Sequence, residues 1–114
     1  MAIFPAEGHA CRVTTVIHVP RVAWDGARAF VRAAGGPRAA LFADHVQGRL
    51  GDEAYGQFAD TQRRLLAALI ETGGDRRATD VEAGKWRVRL QDLLQARPDL
   101  TDAVRELTSE AFEL

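Results

Sequence analysis

The side chains in this chain with the most reactive chemistry lie near its start. His9, Cys11 and His18 offer two imidazole nitrogens and a thiolate to a metal ion. A closed zinc site needs a fourth ligand, and the spacing fits no finger or ribbon arrangement. If residues 11–19 form a strand, Cys11 and His18 point to opposite faces, which separates the ligands further. Cys11 with a His and an acid also makes up the parts of a thiol nucleophile. Asp44 and His45 are adjacent on an expected helix, where neighbours point about 100° apart, so they form no pair by themselves. No Gly-rich phosphate loop, nucleophile elbow or helical metal-binding His pair occurs. No catalytic, metal or cofactor-binding residue is therefore assigned, and a non-enzymatic role is expected. A small enzyme using Cys11 is the lesser alternative.

The second chemical resource is arginine. Fourteen of the fifteen basic residues are Arg, with Lys85 the exception, a usage that fits a high-GC coding bias. Sixteen acids leave a formal charge of −1, which argues against a surface built for nucleic-acid phosphates. A DNA-binding regulator would need a local patch, and Arg63, Arg64, Arg76 and Arg77 are the candidates. A helix-turn-helix over residues 37–72 would open its recognition helix with Asp52 and Glu53, which oppose phosphate.

Trp24-Asp25-Gly26 is similar to the turn of small secreted helical-hairpin proteins that carry a Trp-x-Gly motif. Here the triplet falls near residue 25, ahead of Phe30-Val31, and the C-terminal Tyr-x-x-x-acid pattern of that family is missing. Trp24 is expected instead to anchor the core.

The elements that would hold these residues follow from periodicity. Residues 11–19 alternate, with Cys11, Val13, Thr15, Ile17 and Val19 on one face, and six of the nine are β-branched. That pattern predicts a strand ended by Pro20. A lone strand needs a ladder partner, which the same strand of a second copy can supply, so Val13, Thr15, Ile17 and Val19 are the candidate interaction residues.

Helical segments follow. One runs from about Arg21 to Ala34, with Trp24, Ala27, Val31 and Ala34 in a stripe, and Gly35-Gly36 stops it. Another spans about Pro37 to Gln47. A long helix capped by Asp52 carries Tyr55, Phe58, Gln62, Leu65, Leu69 and Thr72 at alternating spacings of three and four, widened by Leu66 and Ile70, and stops at Gly73-Gly74. Gln62 in that stripe marks either a register device or the stripe's edge. Asp75–Ala78 is expected as a loop, with Thr79 or Asp80 capping the next helix. Ala83–Ala96 places Trp86, Leu90, Leu93 and Leu94 on one face and is expected as the central core helix, ended by Pro98. A final stripe runs through Leu100, Val104, Leu107 and Ala111.

The fold expected is mainly α, a four- to five-helix bundle with an N-terminal extended arm or single β-strand: residues 1–20 the arm, with the strand at 11–19, and residues 21–114 the bundle. Short connections predict antiparallel packing of neighbours. One cysteine allows no internal disulfide, and neither a secretory signal nor an apolar run long enough for a membrane span is seen, so a cytoplasmic protein is expected.

The segment Trp86-Arg87-Val88-Arg89-Leu90-Gln91-Asp92-Leu93-Leu94, with Pro98 and Leu100–Leu107 after it, resembles a W-R-x-R-L-x-x-L-L helix followed by a Pro and a short final helix. Many small uncharacterised helical proteins of high-GC bacteria carry this pattern. The resemblance covers roughly residues 21–110 and departs where that group has an Ala-rich N-terminal region. It implies a helical fold and carries no function. The function expected is a protein–protein interaction module, associating with itself or with a protein partner.

Overall fold

The computed structural model describes residues 19–113. Among them are five α-helices and no strand: α1 (Val19–Ala34), α2 (Ala39–Leu50), α3 (Asp52–Thr72), α4 (Arg76–Ala96) and α5 (Thr101–Glu113), with a 3-10 turn at Pro98–Leu100 before α5. The mainly α bundle expected from the periodicity is present. The strand expected at residues 11–19 lies outside the described residues except for its last position. Val19 opens α1 and packs half-buried against the core, and Pro20 sits in the first turn, where its missing N–H leaves no intrahelical bond unmade. Val19 and Pro20, expected in the arm, thus belong to the bundle.

The organising helix is α1 and not the Trp86 helix. Nine of its sixteen residues are buried, against five of twenty-one in α4. It packs most extensively on α4 and α5 and also touches α3, while α2 pairs with α3. Chain neighbours therefore pack side by side only in part. Alanines explain this centrality. Ala23, Ala27, Ala29 and Ala33 keep the helix surface low, so neighbours approach closely on several sides. Gly26 marks the tightest point: a Cβ there would lie 2.9 Å from Leu90 Cδ1 and 3.1 Å from Val104 Cγ1, so α4 and α5 converge on a bare backbone.

Four helices contribute one large aromatic each to the core. Phe30 of α1 meets Phe42 of α2 edge-on at 5.3 Å between centroids, Phe58 of α3 at 6.3 Å and Trp86 of α4 at 4.9 Å. Such T-shaped and tilted contacts suit the ring quadrupole and stabilise the cluster beyond its apolar burial. Val104, Leu107 and Ala111 of α5 close it from the other side. Trp86, Leu90 and Leu94 are buried as their spacing predicts, with Leu93 at the margin.

Three local expectations are corrected. Trp24 is 41% exposed, with the Arg28 guanidinium over its ring, because the core side of α1 runs through Ala23, Ala27 and Phe30 and leaves Trp24 beyond its edge. Asp52 does not cap α3. The helix α2 runs on to Leu50, so Gly51 alone makes the turn, and Asp52 instead accepts from Gln47 Nε2 at 2.9 Å. The helix α4 starts at Arg76, capped by Asp75 accepting from the Arg77 N–H at 2.9 Å, so the expected loop at Asp75–Ala78 is mostly helical and Thr79 and Asp80 are interior. Arg and Ala are good helix formers, and nothing between Gly74 and Trp86 interrupts the helix. The stop at Gly73 is as expected: its φ of 74° is left-handed, and its N–H reaches Leu69 O at 2.9 Å.

Candidate functional site

The helix α3 has two separate apolar faces. Its core face carries Phe58 and Thr61, fully buried, with Ala54 and Leu65 partly buried beside them. About 100° around the helix lies a second face carrying Tyr55, Ala59, Gln62, Leu66, Leu69 and Ile70. Nothing in the described chain covers its far half: Leu66 is 58%, Leu69 55% and Ile70 77% exposed. Val81, near the start of α4, adds a further exposed apolar residue at that end of the α3–α4 hairpin. Scattered apolar residues on a surface are ordinary, whereas exposed apolar residues gathered on one helix face make a candidate contact surface. Gln62 is half-exposed, on the side of this second face nearest the core face.

A polar chain ties α3 to α4 behind this surface. Trp86 Nε1 donates to Thr61 Oγ1 at 2.8 Å, and the Thr61 hydroxyl donates to Glu82 Oε1 at 3.0 Å. Glu82 is 2% exposed and holds two cations, Lys85 Nζ at 3.1 Å from Oε2 and Arg64 Nη1 at 3.5 Å from Oε1. A buried carboxylate is tolerable only when paired and hydrogen-bonded in this way. The chain has no open coordination position or reacting centre; it fixes the register of the two helices.

A second network joins α2 to α5. His45 Nδ1 contacts Glu110 Oε1, and Arg49 Nη1 donates to Glu110 Oε2 at 2.7 Å. Burial pushes the Glu110 carboxyl up, but the hydrogen bonds from Arg49 and His45 outweigh it and hold the group below the usual carboxylate range. The same contact raises Arg49. His45 thus pairs with an acid 65 residues away and not with Asp44.

A cleft of about 360 Å³ opens between the first half of α3 and the second half of α4, lined by Leu50, Ala54, Trp86, Leu90 and Leu93 with Glu53, Gln57, Arg89 and Asp92. Arg89 lies over the Trp86 ring at 5.1 Å, and its Nη1 is buried without a hydrogen-bond partner.

The residues singled out in the sequence separate. His9, Cys11, Val13, Thr15, Ile17 and His18 lie outside the described residues, and Val19 is helical. Arg63 and Arg64 sit on α3, and Arg76 and Arg77 follow across the Gly73-Gly74 turn at the start of α4. Three of these four have carboxylate partners: Asp60 for Arg63, Glu82 for Arg64 and Asp75 for Arg77. Those acids offset the positive field that phosphate binding requires. Trp24-Asp25-Gly26 is inside α1 and forms no turn. Among the described residues no group of three or more His, Cys, Asp or Glu could hold a metal ion, and no helix is long and apolar enough to cross a membrane. Comparison with family models, curated proteins and solved structures gives no match, so the class is the one the described residues define, a bundle with five α-helices among them.

Proposed function

We propose that this chain is a non-enzymatic helical association module that pairs with a second copy of itself through the outward apolar face of α3. The observation behind the proposal is the exposure of Leu66, Leu69 and Ile70 on a face distinct from the one that builds the core. The face is self-complementary. Antiparallel two-fold pairing about the Gln62–Arg63 step sets Tyr55 opposite the partner's Ile70, Ala59 opposite the partner's Leu66 and Gln62 opposite the partner's Arg63. Large residues then meet large at the ends, and the small Ala59 receives Leu66, the alternation that lets two helices approach closely. Arg63 brings its own counter-ion in Asp60, so the centre of the pair carries no unbalanced charge.

The alternating segment around Val13, Thr15 and Ile17 is a further route to association.

Glu substitutions at Leu66 and Ile70 test the α3 pairing. Both side chains are exposed, so circular dichroism should be unchanged while the size-exclusion volume moves from dimer to monomer. An unchanged elution volume in the doubly substituted chain would reject this face.

A further inference from the structure

The cleft between α3 and α4 carries an imbalance that no internal contact resolves. Arg89 spreads its guanidinium on the indole of Trp86, and one of its nitrogens, Nη1, is buried without an acceptor. Glu53 and Asp92 line the same cleft, yet neither pairs with it. A buried donor without an acceptor is destabilising, and a guanidinium fork matches a carboxylate better than any other common group. The lining carries two carboxylates against one cation, so a plain anion meets net repulsion. A ligand with both an acid and an ammonium group meets the Arg89 guanidinium and one of the two carboxylates at once.

We propose that this cleft binds a small zwitterion with an apolar side chain, of the class of apolar α-amino acids. Its carboxylate meets the Arg89 guanidinium, its ammonium group meets Glu53 or Asp92, and its side chain lies against the partly exposed Leu50, Ala54 and Leu93. The volume of about 360 Å³ falls within the range of small-molecule sites, and an apolar wall with a few polar groups is their usual make-up. Because Trp86 also donates to Thr61, occupancy of the cleft is reported at the α3–α4 register contact.

The test titrates L-phenylalanine into the full chain and follows the two indole N–H resonances. The Trp86 signal should shift to saturation while the signal of Trp24, which does not line the cleft, stays put. Phenethylamine, which lacks the carboxylate, and phenylacetate, which lacks the ammonium group, should each bind at least about tenfold more weakly, the scale of one lost charge-assisted hydrogen bond. Arg89→Met keeps the stem over the ring and should weaken L-phenylalanine by a similar factor. Absence of a saturable Trp86 shift at millimolar L-phenylalanine, or phenylacetate binding as tightly as L-phenylalanine, overturns the proposal. So does equal affinity in an Arg89→Met chain of unchanged circular dichroism. The two ligand comparisons use the unsubstituted chain and stand even if Arg89→Met fails to fold.

Discussion

Trp86 and Thr61 are joined by a buried hydrogen bond, indole Nε1 to hydroxyl Oγ1 at 2.8 Å, and the same hydroxyl donates its own proton to Glu82. One oxygen thus accepts from α4's largest apolar side chain and donates to α4's buried acid. The consequence is a register lock between two helices that otherwise touch sparingly.

Removing the hydroxyl while keeping the shape should therefore be costly. Thr61→Val leaves the buried Trp86 N–H without a partner and Glu82 Oε1 with Arg64 alone, an expected loss of about 1–3 kcal/mol. Trp86→Ala adds the loss of apolar volume and should cost about 3–5 kcal/mol. Urea unfolding of both variants measures these losses. A Trp86→Ala chain as stable as the parent would contradict the burial of this ring.

Gly26→Ala should be destabilising even though Ala is the better helix former. The new methyl meets Leu90 and Val104 at 2.9 and 3.1 Å, and overpacking of this kind costs about 1–3 kcal/mol, more than the roughly 1 kcal/mol of helix propensity gained. Gly56→Ala is the control. It lies inside α3 with nothing within 4 Å of the methyl it would gain, so the propensity gain should appear alone as a higher melting temperature.

Glu110 should make the α2–α5 contact acid-labile. Its carboxyl is depressed in the folded chain, so its contribution is complete above the unfolded carboxylate value, near about 4.3 for Glu, and is lost as the pH falls through the lower folded value. The difference in unfolding free energy between the parent and Glu110→Gln should shrink as the pH falls below about 4.3. A difference that grows on acidification would reverse the sign and reject the role given to Arg49 and His45.

Much of the helical order was legible in the chain, because the Trp86–Leu94 stripe, the Gly35-Gly36 and Gly73-Gly74 stops and the Pro98 break each act through local geometry. Tertiary partners were not legible. Nothing near His45 in the chain announces Glu110, and Thr61 and Glu82 read as ordinary polar residues until α3 and α4 are set side by side. The central place of α1 was hidden because its packing rests on Ala and Gly, which carry little weight in an apolar stripe. The stripe of α3 was visible, but its width concealed two faces. Leu66 and Ile70 looked like an extension of the Phe58–Leu65 side, whereas only the packing reveals that they turn away from it.

The outward face of α3 carries the proposed function, and sedimentation equilibrium of the unsubstituted chain, run from micromolar to several hundred micromolar, is its sharpest check. The weight-average mass should climb from that of one chain to twice that value and level off there, with the doubly substituted Leu66→Glu, Ile70→Glu chain holding at the monomer mass throughout. A parent chain that keeps the monomer mass at every concentration would contradict pairing through α3.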